Sequence, residues 1–60
     1  MQASLLLIDD DAAVRDSLQK VLQGAGYTVE LAGTGQAGLA LLETRAFDVL
    51  LLDLHLPDLQ

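Results

Sequence analysis

Apolar and polar positions follow three different rhythms along this chain. Leu5–Ile8 ("LLLI") is apolar at every position and is stopped by Asp9, Asp10 and Asp11, and Val49–Leu52 ("VLLL") is apolar throughout and is stopped by Asp53. Short runs of this kind predict strands buried on both faces, as in a parallel sheet covered by helices. "YTVEL" alternates instead, with Tyr27, Val29 and Leu31 on one face and Thr28 and Glu30 on the other. That is the pattern of a strand with one solvated side.

Two stretches carry helical spacing. Val14, Leu18, Val21 and Leu22 recur at i, i+4, i+7 and i+8 and form one apolar stripe, with Arg15, Asp16, Gln19, Lys20 and Gln23 elsewhere. Asp11 is placed to cap this helix, Asp16 and Lys20 to pair across one turn, and Gly24 and Gly26 to end it. The second helix is expected over about Gln36–Thr44, with Thr34 as N-cap, Leu39 and Leu42 inward, and Arg45 near its end. Its glycines weaken it by roughly 1 kcal/mol each relative to alanine.

The resulting order is β-α-β-α-β, with helices long enough for right-handed crossovers between parallel strands. Placing the alternating strand at an edge and the two wholly apolar ones inside gives the spatial order 2-1-3, a doubly wound α/β arrangement. "LPDLQ" (Leu56–Gln60) has the character of a loop leading into another helix. The third strand would remain an unpaired hydrophobic edge, which natural sheets avoid. The expectation is therefore the N-terminal part of a larger α/β domain spanning residues 1–60, or a sheet completed by a partner.

Composition narrows the functional classes. At 60 residues the chain is small for a domain and has no cysteine, yet 52% of its residues are hydrophobic, too many for a disordered segment. A net charge of −6 makes phosphate backbones and anionic membranes poor partners for this segment. The N-terminus lacks a basic region and the apolar runs are too short to span a bilayer, so a cytoplasmic location is expected.

In an open parallel sheet, ligands bind beyond the carboxyl ends of the strands where the strand order reverses. For order 2-1-3 that point lies between strands 1 and 3, where Asp9, Asp10 and Asp53 stand. A single aspartate in such a place is ordinarily a cap or a solvated turn residue, which is how Asp11 is read. Asp48 is read as the residue before strand 3, and Asp58 as a loop acid. Three carboxylates converging from separate segments repel one another unless a cation joins them. Mg²⁺ takes a few carboxylates, keeps several waters and leaves a place for a phosphate oxygen.

A competing motif is Gly33-Thr34-Gly35-Gln36-Ala37-Gly38, which fits G-x-G-x-x-G, with Asp53 about 20 residues on where a dinucleotide fold wants a ribose partner. That fingerprint belongs after a central buried strand, and here it follows the edge-type one. Gly33 and Gly35 are therefore assigned to turn geometry and Gly38 to close helix packing, with no cofactor-binding residues among them.

The stretch "LLLIDDDAAVRDSLQKVLQGAGYTVELAGTGQAGLALLETRAFDVLLLDLHLPD" resembles the first half of a response-regulator receiver domain, the phosphoacceptor module of two-component signalling. The likeness rests on the acid pair after strand 1, Arg15 and Leu18, "GAGYTVELA", the "T-G" turn, "FDVLLLDLHLP", and Pro57 four residues after Asp53. It implies a flavodoxin-like fold truncated before strands 4 and 5. It also implies that Asp53 takes a phosphoryl group from a phosphohistidine of a sensor histidine kinase or phosphotransfer protein. Asp10 would bind Mg²⁺ directly, Asp9 directly or through water, and the His55 backbone carbonyl would supply another ligand. The family's Ser or Thr after strand 4 and Lys after strand 5 lie outside the sequence, as does any output domain, often DNA-binding, so this segment alone is not expected to run efficient phosphotransfer. Two alternatives stay open: a receiver-like docking or dimerisation module that self-associates through its sheet edge, and the less favoured dinucleotide-binding domain. A haloacid dehalogenase-type hydrolase would want a second Asp two residues after the nucleophile, where His55 stands.

Overall fold

Both continuous apolar runs and the alternating one fold as strands, but only Leu5–Ile8 is buried on both faces: Leu50, Leu51 and Leu52 of the second run are exposed, because among the described residues it pairs on one side alone. The computed structural model describes residues 2–53, 56 and 58. Its elements are β1 (Ser4–Ile8), α1 (Ala12–Gly24), β2 (Thr28–Ala32), α2 (Gly35–Thr44) and β3 (Val49–Leu52). The sheet has the expected order β2-β1-β3, and both pairings are parallel. Leu5 lies beside Val29 and Val49, and Ile8 beside Ala32 and Leu52. At the amino ends of β1 and β3, Asp48 fastens the register. Its carboxylate accepts from Ser4 N (2.8 Å), and its own N–H donates to the Ser4 carbonyl (2.9 Å).

Side chains alternate across β1, so successive residues feed two core layers. Leu5, Leu7 and Val29 pack on the α1 side with Leu18 and Leu22, while Leu6, Ile8, Ala32 and Leu56 pack on the α2 side with Leu41 and Phe47. Helix α1 begins where Asp11 leaves the extended conformation, its carboxylate accepting from Ala13 N (2.9 Å) and Val14 N (3.2 Å). Only half of the anticipated stripe faces the core. Leu18 and Leu22 form the contact row, whereas Val14 and Val21 are exposed. At 100° per residue, those two valines lie together on one flank of the Leu18–Leu22 line, away from the sheet. The helix runs through Gly24, and the stop is Gly26, whose φ of +100° lets Tyr27 N reach the Leu22 carbonyl (3.1 Å). Asp16 and Lys20 do pair (3.3 Å), on an exposed face where such a bridge contributes little.

Helix α2 starts one residue earlier than expected and has the expected cap, Thr34 Oγ1 accepting from Ala37 N (3.0 Å). Its inward row differs from the expectation. Gly35 and Gly38 are buried and Leu41 joins the core, while Leu39 and Leu42 are exposed, Leu39 by 54%. The reason is Gly38. A Cβ there would stand 2.8 Å from Ile8 Cγ1 and nearer still to Cδ1, so the bare backbone lets the helix lie directly on β1. That approach selects positions 35, 38 and 41 and turns Leu39 and Leu42 outward. Beyond the helix, Arg45 forms an ion pair with Glu30 of β2 and lies over the Phe47 ring. Among the described residues, no helix is long and apolar enough to cross a membrane.

Candidate functional site

The parallel ladders continue one residue past each strand. Asp9 N donates to the Ala32 carbonyl (3.1 Å) and Asp53 N to the Ile8 carbonyl (2.9 Å). Because Ile8 is the register partner of Leu52, Asp9 and Asp53 emerge side by side at the carboxyl end of the sheet. Two further bonds shape the turn after β1. Asp9 Oδ1 accepts from Asp11 N (2.9 Å), and Arg15 Nη1 donates to the Asp9 carbonyl (2.7 Å).

This backbone brings together the three acids singled out in the sequence. Asp9, Asp10 and Asp53 each offer a carboxylate oxygen, and these oxygens all lie within 4.8 Å of one another. Asp9 and Asp53 are half-buried and Asp10 is exposed. Oxygens sharing one octahedral Mg²⁺ stand about 3–4 Å apart, so small carboxylate rotations close the set. The donors are hard oxygens, and Asp10 leaves the site open to solvent. The residues fit a small divalent cation that retains water and accepts a phosphate oxygen. His55 and Pro57, for which the sequence suggested a carbonyl ligand and a loop-shaping role, lie outside the described residues.

The glycine motif has a different surrounding from a cofactor loop. Among the described residues, Gly26 is the glycine with positive φ, so neither Gly33 nor Gly35 is needed for left-handed turn geometry. Gly33 instead makes room. A Cβ there would stand 3.0 Å from Arg15 Nη1, the guanidinium that holds the Asp9 carbonyl. Gly38 serves helix packing, as expected. The α2 N-terminus, where a pyrophosphate would sit, is already engaged by Asp58. Its carboxylate accepts from Gly35 N (2.9 Å) and Gln36 N (2.8 Å). The Gly35 N–H first, and then that of Gln36, hold the Asp58 carboxyl below the usual carboxylate range. A carboxylate on those donors repels a phosphate, and the glycines follow the edge strand β2.

Sequence reasoning missed two of these residues. Asp58 had been read as a loop acid, and nothing local marks it, because its partners are 22 and 23 residues away. Arg15 reads from sequence as a polar position of the first helix and as part of the receiver likeness. Its place in the first turn of α1, six residues after Asp9, was the available signal.

A parallel 2-1-3 sheet with an acid triad at the reversal of strand order is the arrangement expected of a receiver. The chain belongs to the response-regulator receiver family, whose model, described as the response regulator receiver domain, matches residues 5–60. It is similar to the response regulator MprA of Mycobacterium ulcerans, with 44% identity over 98% of this chain and 25% of that protein. The MprA of Mycolicibacterium vanbaalenii is 42% identical over 98% of this chain and 26% of its own length. Among solved structures, the chemotaxis response regulator CheY4 of Vibrio cholerae superposes with a TM-score of 0.92 at 37% identity, over 95% of this chain and 48% of that one. The chain thus spans about a quarter of the length of the curated relatives it matches. It is receiver sequence of a two-component response regulator.

Proposed function

We propose that Asp53 is the phosphoacceptor of this receiver and that Asp9, Asp10 and Asp53 hold Mg²⁺, with the His55 backbone carbonyl as a further ligand. The observation that carries the reading is the meeting of these three carboxylates within 4.8 Å. When bound, Mg²⁺ offsets the negative charge that would otherwise keep a phosphoryl group away. Asp53 supplies the nucleophile. One of its carboxylate oxygens attacks phosphorus, a new O–P bond forms, and the P–N bond of the donor phosphohistidine breaks. The electron pair stays on the imidazole nitrogen, which then takes up a proton. The product is an aspartyl phosphate. Asp53 is presented for this attack by its N–H bond to the Ile8 carbonyl, and the Asp9 carboxylate is oriented by Asp11 N.

In this reading the donor is a sensor histidine kinase or phosphotransfer protein in the cytoplasm, and residues 1–60 are the N-terminal part of one receiver domain. Exposure of Leu50, Leu51 and Leu52 on β3 favours a further strand or a second chain beside that edge. A docking module that self-associates there without phosphorylation is the second reading.

The test is incubation of the full chain with a small acyl phosphate and Mg²⁺, followed by intact-mass and peptide analysis. The expected result is gain of one phosphoryl group on Asp53, abolished by Asp53→Asn and by a chelator. Equal incorporation into Asp53→Asn overturns the assignment. Self-association in the absence of any phosphoryl uptake favours the docking reading.

A further inference from the structure

Asp53, Leu56 and Asp58, the described residues that follow β3, are each tied to the fold. Asp53 N is bonded to the Ile8 carbonyl (2.9 Å), which fixes the start. Leu56 is 1% exposed and packs among Leu6, Ile8 and Ala32. Asp58 grips the first two N–H groups of α2, at 2.9 and 2.8 Å. Those N–H groups belong to a helix that already has a side-chain cap. Thr34 serves Ala37 N from within the local sequence. The carboxylate from 22 residues away therefore adds something Thr34 does not, a tie between α2 and the chain that carries Asp53. Charge strengthens that tie, because an ionised carboxylate on two helix N-terminal donors makes short charge-assisted bonds.

We propose that Asp58 is a positioning residue for the cation and phosphoryl site, holding the segment after Asp53 in register with the acids of the β1 turn by clamping it to α2. The inference rests on the reading of Asp9, Asp10 and Asp53 as the Mg²⁺ site. The clamp and the site share one scaffold. Helix α2 lies on Ile8 through Gly38, and Ile8 is the residue whose carbonyl receives Asp53 N. A segment pinned by Leu56 and Asp58 keeps the Asp53 carboxylate within reach of Asp9 and Asp10. Without the Asp58 clamp the remaining ties are the Asp53 N–H bond and Leu56, and the Asp53 carboxylate samples a wider range of positions.

Calorimetric Mg²⁺ titration of the full chain tests this with four variants, alongside thermal unfolding of each. Asp58→Ala is expected to weaken Mg²⁺ binding by about 3-fold, less than the roughly 10-fold that loss of a direct hydrogen-bond partner of a metal ligand costs. Asp58→Asn, which keeps one acceptor oxygen, should recover part of that loss. Thr34→Ala removes the other cap of the same helix and is expected to lower stability while leaving Mg²⁺ affinity unchanged. Asp53→Asn tests the underlying site. If wild type and Asp53→Asn bind Mg²⁺ equally, the site reading fails, whatever Asp58 does. If wild type binds and Asp53→Asn is weakened, but Asp58→Ala binds like wild type, the positioning role is overturned. Equal weakening by Thr34→Ala and Asp58→Ala also overturns it, since the effect would then be helix stability alone.

Discussion

β1 and β3 are nearly the same in letters and opposite in surroundings. "LLLI" is buried throughout, Leu5 to Ile8 being at most 3% exposed, whereas Leu50, Leu51 and Leu52 of "VLLL" are 47%, 38% and 43% exposed. β1 has a strand on each side and a helix on each face. β3 pairs with β1 alone among the described residues. Burial therefore belongs to the neighbours, not to the letters. Both strands are nonetheless followed at once by an aspartate, and the parallel register puts those aspartates side by side. Packing and site placement are separable. β1 supplies core and site, while β3 supplies site and leaves its apolar surface for something else.

The largest expected effect breaks the comparison directly. Leu6→Ala in the full chain should cost about 2–5 kcal/mol, the range for a buried leucine leaving a cavity. Leu50→Ala, at the register partner of Leu6, reports on what covers β3. A cost below about 1 kcal/mol would mark β3 as a surface strand in the full chain, while one that matches Leu6→Ala would mean that the rest of the chain buries it. Chemical denaturation at matched denaturant slopes reads both.

A smaller effect sharpens why α2 sits over β1. Gly38→Ala adds a methyl that overlaps Ile8. Overpacking costs about 1–3 kcal/mol, against a helix-propensity gain of about 1 kcal/mol, so a modest net loss is expected. Ile8→Val removes the Cδ1 methyl nearest that overlap and should partly rescue Gly38→Ala in a double-mutant cycle. Strict additivity would mean that Gly38 is not set by Ile8.

The smallest effect is a pH dependence. The Asp58 carboxyl is held low, first by the Gly35 N–H and then by that of Gln36. Its stabilising contribution is full above the carboxylate range of the unfolded chain. It is lost as the pH falls through the lower folded value, because both states then bind the proton. Asp58→Asn should remove that acid-limb component from the stability profile of the full chain, and an unchanged profile would show that the clamp carries no charge dependence.

Much of the arrangement could be read from the residues alone, for identifiable reasons. Continuous apolar runs and one alternating run place strands without reference to anything distant, and they led to the 2-1-3 order. The caps Asp11 and Thr34 lie beside the groups they serve, so local spacing reveals them. The acid triad was legible because strand ends in a parallel sheet share one edge. The misses share a cause as well. Which flank of α1 and α2 faces inward depends on how closely each helix approaches the sheet, and Gly38 decided that for α2. Leu39 and Leu42 match the helical period as well as Leu41 does, but not the contact row. Asp58 was hidden because its partners are remote in sequence. Gly33 stands in the bend between β2 and α2, as assigned, but its close neighbour Arg15 belongs to another element and local spacing does not reveal it.

The central claim is that β1 and β3 deliver three carboxylates to one cation and phosphoryl site. Its most direct test is a Mg²⁺ titration of the full chain followed by the backbone amide signals of Asp9, Asp10 and Asp53. The account predicts that these signals shift together and saturate along a single binding curve, which Asp53→Asn weakens or abolishes. Signals that do not saturate, or that move no more than those of the exposed Asp16, would contradict it.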